Sequence, residues 1–209
     1  MKRALFLDRD GTLVEPRHYP SDPKDLILQP GIGPLLRMFQ TSGWDLIVVT
    51  NQSGIARGYF TEETLERMHD RLREMLGVWG VELNAIHACP HHVDGVIPHL
   101  AIHCRCRKPR PGMLLKAAAE RNIDLSRSWM IGDILDDVEA GNRAGCRTVL
   151  VDLGTERLPD RPERWPRLVA PSTAEALRHI AFAEDLRPQG PPPARYRPRR
   201  WSPAAVAAR

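Results

Sequence analysis

The feature that most constrains this fold is a short apolar run that ends on acid: Ala4-Leu5-Phe6-Leu7, then Asp8-Arg9-Asp10-Gly11-Thr12. A run of this length bounded by a turn signal reads as a buried strand. Positions i and i+2 of a strand share a face, so Asp8 and Asp10 converge just past its C-terminal edge. Open α/β sheets bind their ligands at that edge. Two carboxylates this close repel unless something neutralises them. A hard divalent cation with oxygen ligands would do so, and Mg2+ commonly also holds a substrate phosphate.

The rest of the chain repeats a strand–helix alternation. Glu15 to Pro30 is rich in Pro, Asp, Lys and Ser and reads as a loop. Gly31 to Gln40 carries Ile32, Leu35, Leu36 and Phe39 at helical spacing, with Gly43 as a stop. Trp44 to Asn51 is a second buried strand ending in Thr50 and Asn51, followed by the loop Gln52–Gly58. Thr61 is the expected N-cap of a helix whose apolar face is Leu65, Met68, Leu72, Met75 and Leu76. Val81–Ala88 reads as a third strand, 111–122 as a helix, and Trp129–Asp133 as a strand ending in acid. A helix over 136–144 closed by Gly145, a strand over 147–151 and a helix over 172–183 complete the series. This order predicts an α/β fold, a doubly wound parallel sheet with helices on both faces.

The sequence has 209 residues, enough for one domain with a substantial core. Its net charge of +4 would suggest a nucleic-acid partner if it were evenly spread. It is not: residues 185–209 hold six Arg and one Asp, so the body is close to neutral and the basic character belongs to the tail. That tail is Pro- and Arg-rich and is expected to be disordered. The expected division is therefore a domain over 1–184 and a tail over 185–209. With no long apolar run and no secretory leader, the protein is read as cytoplasmic, without a membrane or nucleic-acid partner, and as a monomer.

Four elements in chain order fit phosphoryl transfer. Asp8 is the candidate nucleophile, because a carboxylate attacking phosphorus splits one displacement into two. Asp10 would give a proton to the leaving alkoxide and later take one from water. Thr50 and Asn51 can hold phosphoryl oxygens at a strand end. Lys108 would place a positive charge on the phosphoryl group. Asp133 would complete a Mg2+ site with Asp8, and Asp136 and Asp137, one turn on, are read as capping or supporting groups.

Cys89-Pro90-His91-His92 and His103-Cys104-Arg105-Cys106 form two chelating pairs joined by a loop. They fit tetrahedral Zn2+ with sulfur and nitrogen ligands. Three cysteines and one histidine would leave no open position, so the expected zinc is structural. Spacing leaves His87 and His103 as further candidates for the histidine ligand.

Asp-x-Asp-Gly-Thr after an N-terminal strand resembles the first motif of the haloacid-dehalogenase-like phosphatases. Thr50-Asn51-Gln52-Ser53-Gly54-Ile55-Ala56-Arg57-Gly58 is similar to the second motif of the bacterial heptose bisphosphate phosphatases within them. The resemblance covers residues 1 to about 183. It implies a Rossmann-like core with a short zinc-binding loop insert and no large cap domain. It implies that Asp10 lends its backbone carbonyl to Mg2+ and that Cys89, His91, Cys104 and Cys106 hold zinc. It also implies that Gln52, Ser53, Arg107 and Tyr19 contact substrate, with Arg107 gripping a second anionic group. The activity implied is Mg2+-dependent removal of the C7 phosphate of a heptose 1,7-bisphosphate through an aspartyl-phosphate, with that phosphorylated sugar as the partner. Glu15-Pro16 instead resembles the histidinol-phosphate phosphatases, which is the alternative substrate. The non-enzyme alternative is a zinc-stabilised binding module.

Overall fold

The computed structural model describes residues 1–186. The described residues form six strands: β1 (Arg3–Leu7), β2 (Trp44–Asn51), β3 (Ala85–Cys89), β4 (Trp129–Gly132), β5 (Arg147–Val151) and β6 (Leu168–Ala170). The helices are α1 (Ile32–Thr41), α2 (Glu62–Gly77), α3 (Gly112–Arg121), α4 (Leu135–Ala144) and α5 (Thr173–Ala183). All strands pair parallel in the order β3-β2-β1-β4-β5-β6.

Period-2 alternation sorts the core into two layers. Leu5 and Leu7, Leu46 and Val48, and Trp129 and Ile131 face one way, with apolar residues of α1, α2 and α5 packed on them. Ala4 and Phe6, Ile47 and Val49, and Met130 face the other way, toward Met113, Leu114 and Ala117 of α3 and Ala140 of α4. The expected doubly wound α/β architecture is therefore present, and residues 90–111 are an insert between β3 and α3 rather than a cap domain.

Two expectations shift. The third strand, expected over Val81–Ala88, runs from Ala85 to Cys89. Val81 is buried and packs in the core, but in the turn after α2, so its hydrophobicity reports burial rather than strand. The short strand β6 has three residues, too few to show a period. Thr61 does cap α2: its side chain accepts the N–H of Thr64. No helix among the described residues is long and apolar enough to cross a membrane. The tail expected to be disordered lies, from residue 187 on, outside the described residues, whereas Leu186 packs against the larger core.

The strand order reverses at β1. The chain runs β1 to β2 to β3 on one side, then returns to place β4 on the other. Ligands bind at such a switch point, outside the carboxyl ends of the strands. Asp8 follows β1 and its N–H donates to Ile131 O of β4 at 3.0 Å. Asp133 follows β4 directly.

Candidate active site

The switch point gathers charge. Carboxylate oxygens of Asp8, Asp133 and Asp137 all lie within 4.8 Å of one another, and all three residues are buried. Lys108 reaches them from the insert. Its Nζ donates to Asp8 Oδ1 at 2.6 Å and to Val49 O at 2.8 Å, and is ion-paired with Asp137 Oδ1 at 2.6 Å. Two glycines make the close packing possible. Gly11 has φ +85°, and a Cβ there would collide with the Asp133 carboxylate; a Cβ on Gly132 would collide with Asp137.

Electrostatics show what this cluster lacks. Burial raises Asp8 to about 7 against the pull of Lys108, with Asp137 and Asp10 pushing the same way as burial. Burial, then Asp8 and Asp137, raise Asp133 to about 9. Asp137 is raised by burial as well. Burial alone would lower Lys108, but Asp137 and Asp8 hold it above its ordinary value. Three buried carboxylates facing one ammonium are short of positive charge, and a divalent cation with oxygen ligands fits that shortage.

Asp10 stands apart from the three acids. Its carboxylate accepts from Arg9 Nε and Nη2, and from Gln52 Nε2 at 2.8 Å. Arg9 is fully buried, and its Nη1 has no hydrogen-bond partner among the described residues. His69 of α2 is buried nearby; burial, then the Arg9 charge, lower it to about 4. Thr50 is buried, and its Oγ1 accepts from Gln52 Nε2 at 2.9 Å.

The side chain of Asn51 binds the main chain of Lys108, and Ser53 is buried at the start of the following loop. That loop is stitched to the insert, since Val96 N and Ile97 N both donate to Ala56 O, at 2.7 and 3.0 Å. Tyr19 adopts φ +49° and meets Tyr59 edge-on, with ring centroids 4.8 Å apart.

The insert carries a second cluster, in which one ligand atom each of Cys89, His91, Cys104 and Cys106 lies within 4.8 Å of the others. Cys89 Sγ is 3.6 Å from Cys104 Sγ and 3.2 Å from Cys106 Sγ, and His91 Nδ1 is 3.3 Å from Cys106 Sγ. The hydrogen bond between Cys89 and Cys106 holds the Cys106 thiol well below its ordinary value and pushes the Cys89 thiol up. This donor set suits Zn2+. Of the neighbouring histidines, His92 pairs with Arg57, and His87 lies outside this group, its Nε2 3.8 Å from Glu120 and without a hydrogen bond among the described residues. Arg107 is tied to this cluster, because its N–H donates to Cys104 Sγ at 3.3 Å and its guanidinium reaches His91 O at 3.4 Å.

A family model described as HAD-hydrolase-like matches residues 105–176. The chain is 43% identical over 152 residues to the D-glycero-β-D-manno-heptose-1,7-bisphosphate 7-phosphatase of Yersinia pestis, covering 72% of this chain and 81% of that protein. It is 42% identical over 181 residues to the protein of that name from Haemophilus ducreyi, covering 86% of this chain and 98% of the other.

The chain belongs to the haloacid-dehalogenase-like phosphatases.

A solved structure of D,D-heptose 1,7-bisphosphate phosphatase from B. bronchiseptica, complexed with magnesium and phosphate, superposes with a TM-score of 0.74 at 30% identity. The match covers 87% of this chain and 99% of that one. As a haloacid-dehalogenase-like phosphatase, this protein has features that motif reading passes over. Asp137 is tied to Lys108 as closely as Asp8 is, Asn51 serves Lys108, and Arg9 is a fully buried cation behind Asp10. Asp137, expected as a capping or supporting group one turn after Asp133, accepts the Ile134 N–H at 3.3 Å and also pairs with Lys108; the pairing with Lys108 is the part that spacing does not show.

Proposed function

We propose that this protein removes the C7 phosphate of D-glycero-β-D-manno-heptose 1,7-bisphosphate, with Asp8 as nucleophile. The observation that carries the chemistry is Asp8 at the switch point, one carboxylate oxygen held 2.6 Å from a buried lysine. Identity of about 40% to relatives of that name, over most of their length, carries the substrate.

Lys108 occupies Asp8 Oδ1, which leaves Oδ2 to attack phosphorus. As the Asp8–P bond forms, the bond from P to the C7 oxygen breaks and Asp10 gives that oxygen its proton. In the second half, Asp10 takes a proton from a water that attacks the phosphoryl group, and Asp8 is released as carboxylate. Thr50 and Lys108 stabilise the phosphoryl oxygens as charge develops. Asp8, Asp133 and the Asp10 carbonyl would hold Mg2+, which when bound supplies charge neutralisation between nucleophile and phosphoryl group. Asp137 holds Lys108 in place.

Cys89, His91, Cys104 and Cys106 would hold a structural Zn2+. Its role is to fix the turn carrying Arg107 and Lys108, with Arg107 meeting the second phosphate. Tyr19, Ser53 and Gln52 lie on the loops that border the sugar side. The protein acts in the cytoplasm as a monomer, with residues 1–184 as the catalytic domain.

The test is phosphate release with Mg2+ from the β and α anomers of the heptose bisphosphate and from histidinol phosphate. Preference for the β anomer supports the reading. Preference for histidinol phosphate would mean that Glu15-Pro16 reports the substrate, and equal, slow turnover of all three would overturn the assignment.

A further inference from the structure

Gln52 follows β2 and is 4% exposed. Its Nε2 lies 2.8 Å from Asp10 Oδ2 and 2.9 Å from Thr50 Oγ1. A primary amide nitrogen carries two N–H donors, and two acceptors use both. The opposite amide orientation would set Oε1 against the Asp10 carboxylate, so the orientation is fixed by charge. Thr50 Oγ1 accepts from Gln52, which leaves its own O–H free to donate elsewhere, and Thr50 is 1% exposed.

Arg9 grips Asp10 from the other side. Its Nε lies 3.1 and 3.2 Å from the two carboxylate oxygens, and Nη2 lies 2.9 Å from Oδ2. Gln52 is itself anchored, because its backbone N–H donates to Cys89 O at 2.8 Å.

We infer that Gln52 is a positioning residue for both halves of the reaction: braced on Thr50 Oγ1, its amide holds the Asp10 carboxylate in place, and does so without touching the substrate. The inference rests on the reading of Asp10 as acid and base given above. It differs from the expectation that Gln52 binds substrate, because both amide N–H donors are already engaged within the protein. Through the Cys89 carbonyl, it also ties the alignment of Asp10 to the cysteine cluster.

The experiment uses the full chain with Mg2+, the heptose bisphosphate, and p-nitrophenyl phosphate, whose leaving group departs without protonation. Gln52→Met keeps the length of the side chain and removes both donors. Gln52→Glu keeps its shape and turns an acceptor toward Asp10. Both are expected to lower kcat for the sugar phosphate about 10–100-fold, the scale of general acid–base catalysis. KM is expected to stay within about twofold, the pattern of an interaction made only in the transition state. The pre-steady-state burst of p-nitrophenolate is expected to change by less than about threefold, because the acid has little to do in that step.

A rise in KM that accounts for the loss in kcat/KM would show Gln52 to be a substrate contact and overturn the inference. An equal loss for both leaving groups would overturn it too. If Gln52→Met fails to fold, Gln52→Glu carries the same comparison. Asp10→Asn separates the two levels of the argument. If Asp10→Asn shows the leaving-group split and the Gln52 variants do not, only this inference falls. If Asp10→Asn lacks the split, the acid–base reading falls and this inference with it.

Discussion

Asn51 holds Lys108 at both ends of its residue: Asn51 Nδ2 donates to Lys108 O at 3.1 Å, and Lys108 N donates to Asn51 Oδ1 at 3.1 Å. A side chain at the end of β2 thus fixes the backbone of a residue 57 positions later, in the turn after the cysteine cluster. The ammonium that meets Asp8 is aimed by this clamp from one side and by Asp137 from the other. The Asn51 amide is therefore committed to Lys108 before any substrate arrives.

Removing that clamp tests whether the aim of Lys108 matters. Asn51→Ala is expected to lower kcat by up to about 100-fold, the cost of a displacement near 1 Å in a catalytic group. Stability is expected to fall by about 1–3 kcal/mol, because the backbone groups of Lys108 lose their partners. Steady-state kinetics and urea unfolding measure both. Unchanged kcat alongside lost stability would confine Asn51 to a structural role.

Magnesium binding is expected to depend on pH with a definite sign. Asp8 and Asp133 are raised from 3.8 to about 7 and about 9, so the metal-free folded chain binds protons that the unfolded chain has released. Their contribution to stability is present at acid pH and is lost as pH rises through those values. Mg2+ replaces the missing positive charge, so the gain in melting temperature on adding Mg2+ should be larger at pH 8 than at pH 6. Calorimetric scans with Mg2+ and with chelator check this. A gain that shrinks with rising pH would contradict the charge argument.

The cysteine cluster predicts one zinc per chain by elemental analysis. Thiol titration of the loaded protein should be slow at Cys89, Cys104 and Cys106 and become fast once a strong chelator is added. Chelation should also lower kcat, since Cys104 Sγ accepts the N–H of Arg107, the residue before Lys108. Full activity in zinc-free protein would separate the cluster from catalysis.

The far end of the sheet carries a different kind of contact. Glu184 accepts from Trp129 Nε1 at 3.0 Å and pairs with Arg147 at 2.5 Å and Arg3 at 3.4 Å. These partners sit at the N-terminal ends of β4, β5 and β1, away from Asp8. Glu184→Ala is expected to cost about 1–3 kcal/mol in unfolding free energy and to leave kcat unchanged. A fall in kcat without a fall in stability would contradict that placement.

The strands and the main carboxylates were legible because each leaves a local mark. An apolar run ending in a polar residue reads as a strand and its edge, and that single pattern locates Asp8, Thr50 and Asp133. The cysteine pairs are legible through chelating spacing. Spacing does not separate His91 from His87 and His103, whereas in the folded insert it is the His91 ring that lies among the sulfurs. The hidden part consists of side chains that act on other side chains. The links Asn51 to Lys108, Gln52 to Asp10 and Arg9 to Asp10 depend on hydrogen-bond direction between neighbouring strand ends, which no periodicity records. β6 was hidden for the opposite reason, since three residues between loops leave too little pattern.

The most direct test of the central claim follows both phosphates of D-glycero-β-D-manno-heptose 1,7-bisphosphate by phosphorus NMR, with enzyme and Mg2+ present. The account predicts that the C7 phosphate resonance is replaced by inorganic phosphate while the C1 phosphate persists, and that Asp8→Asn abolishes the change. Loss of the C1 phosphate first, or turnover that survives Asp8→Asn, would contradict it.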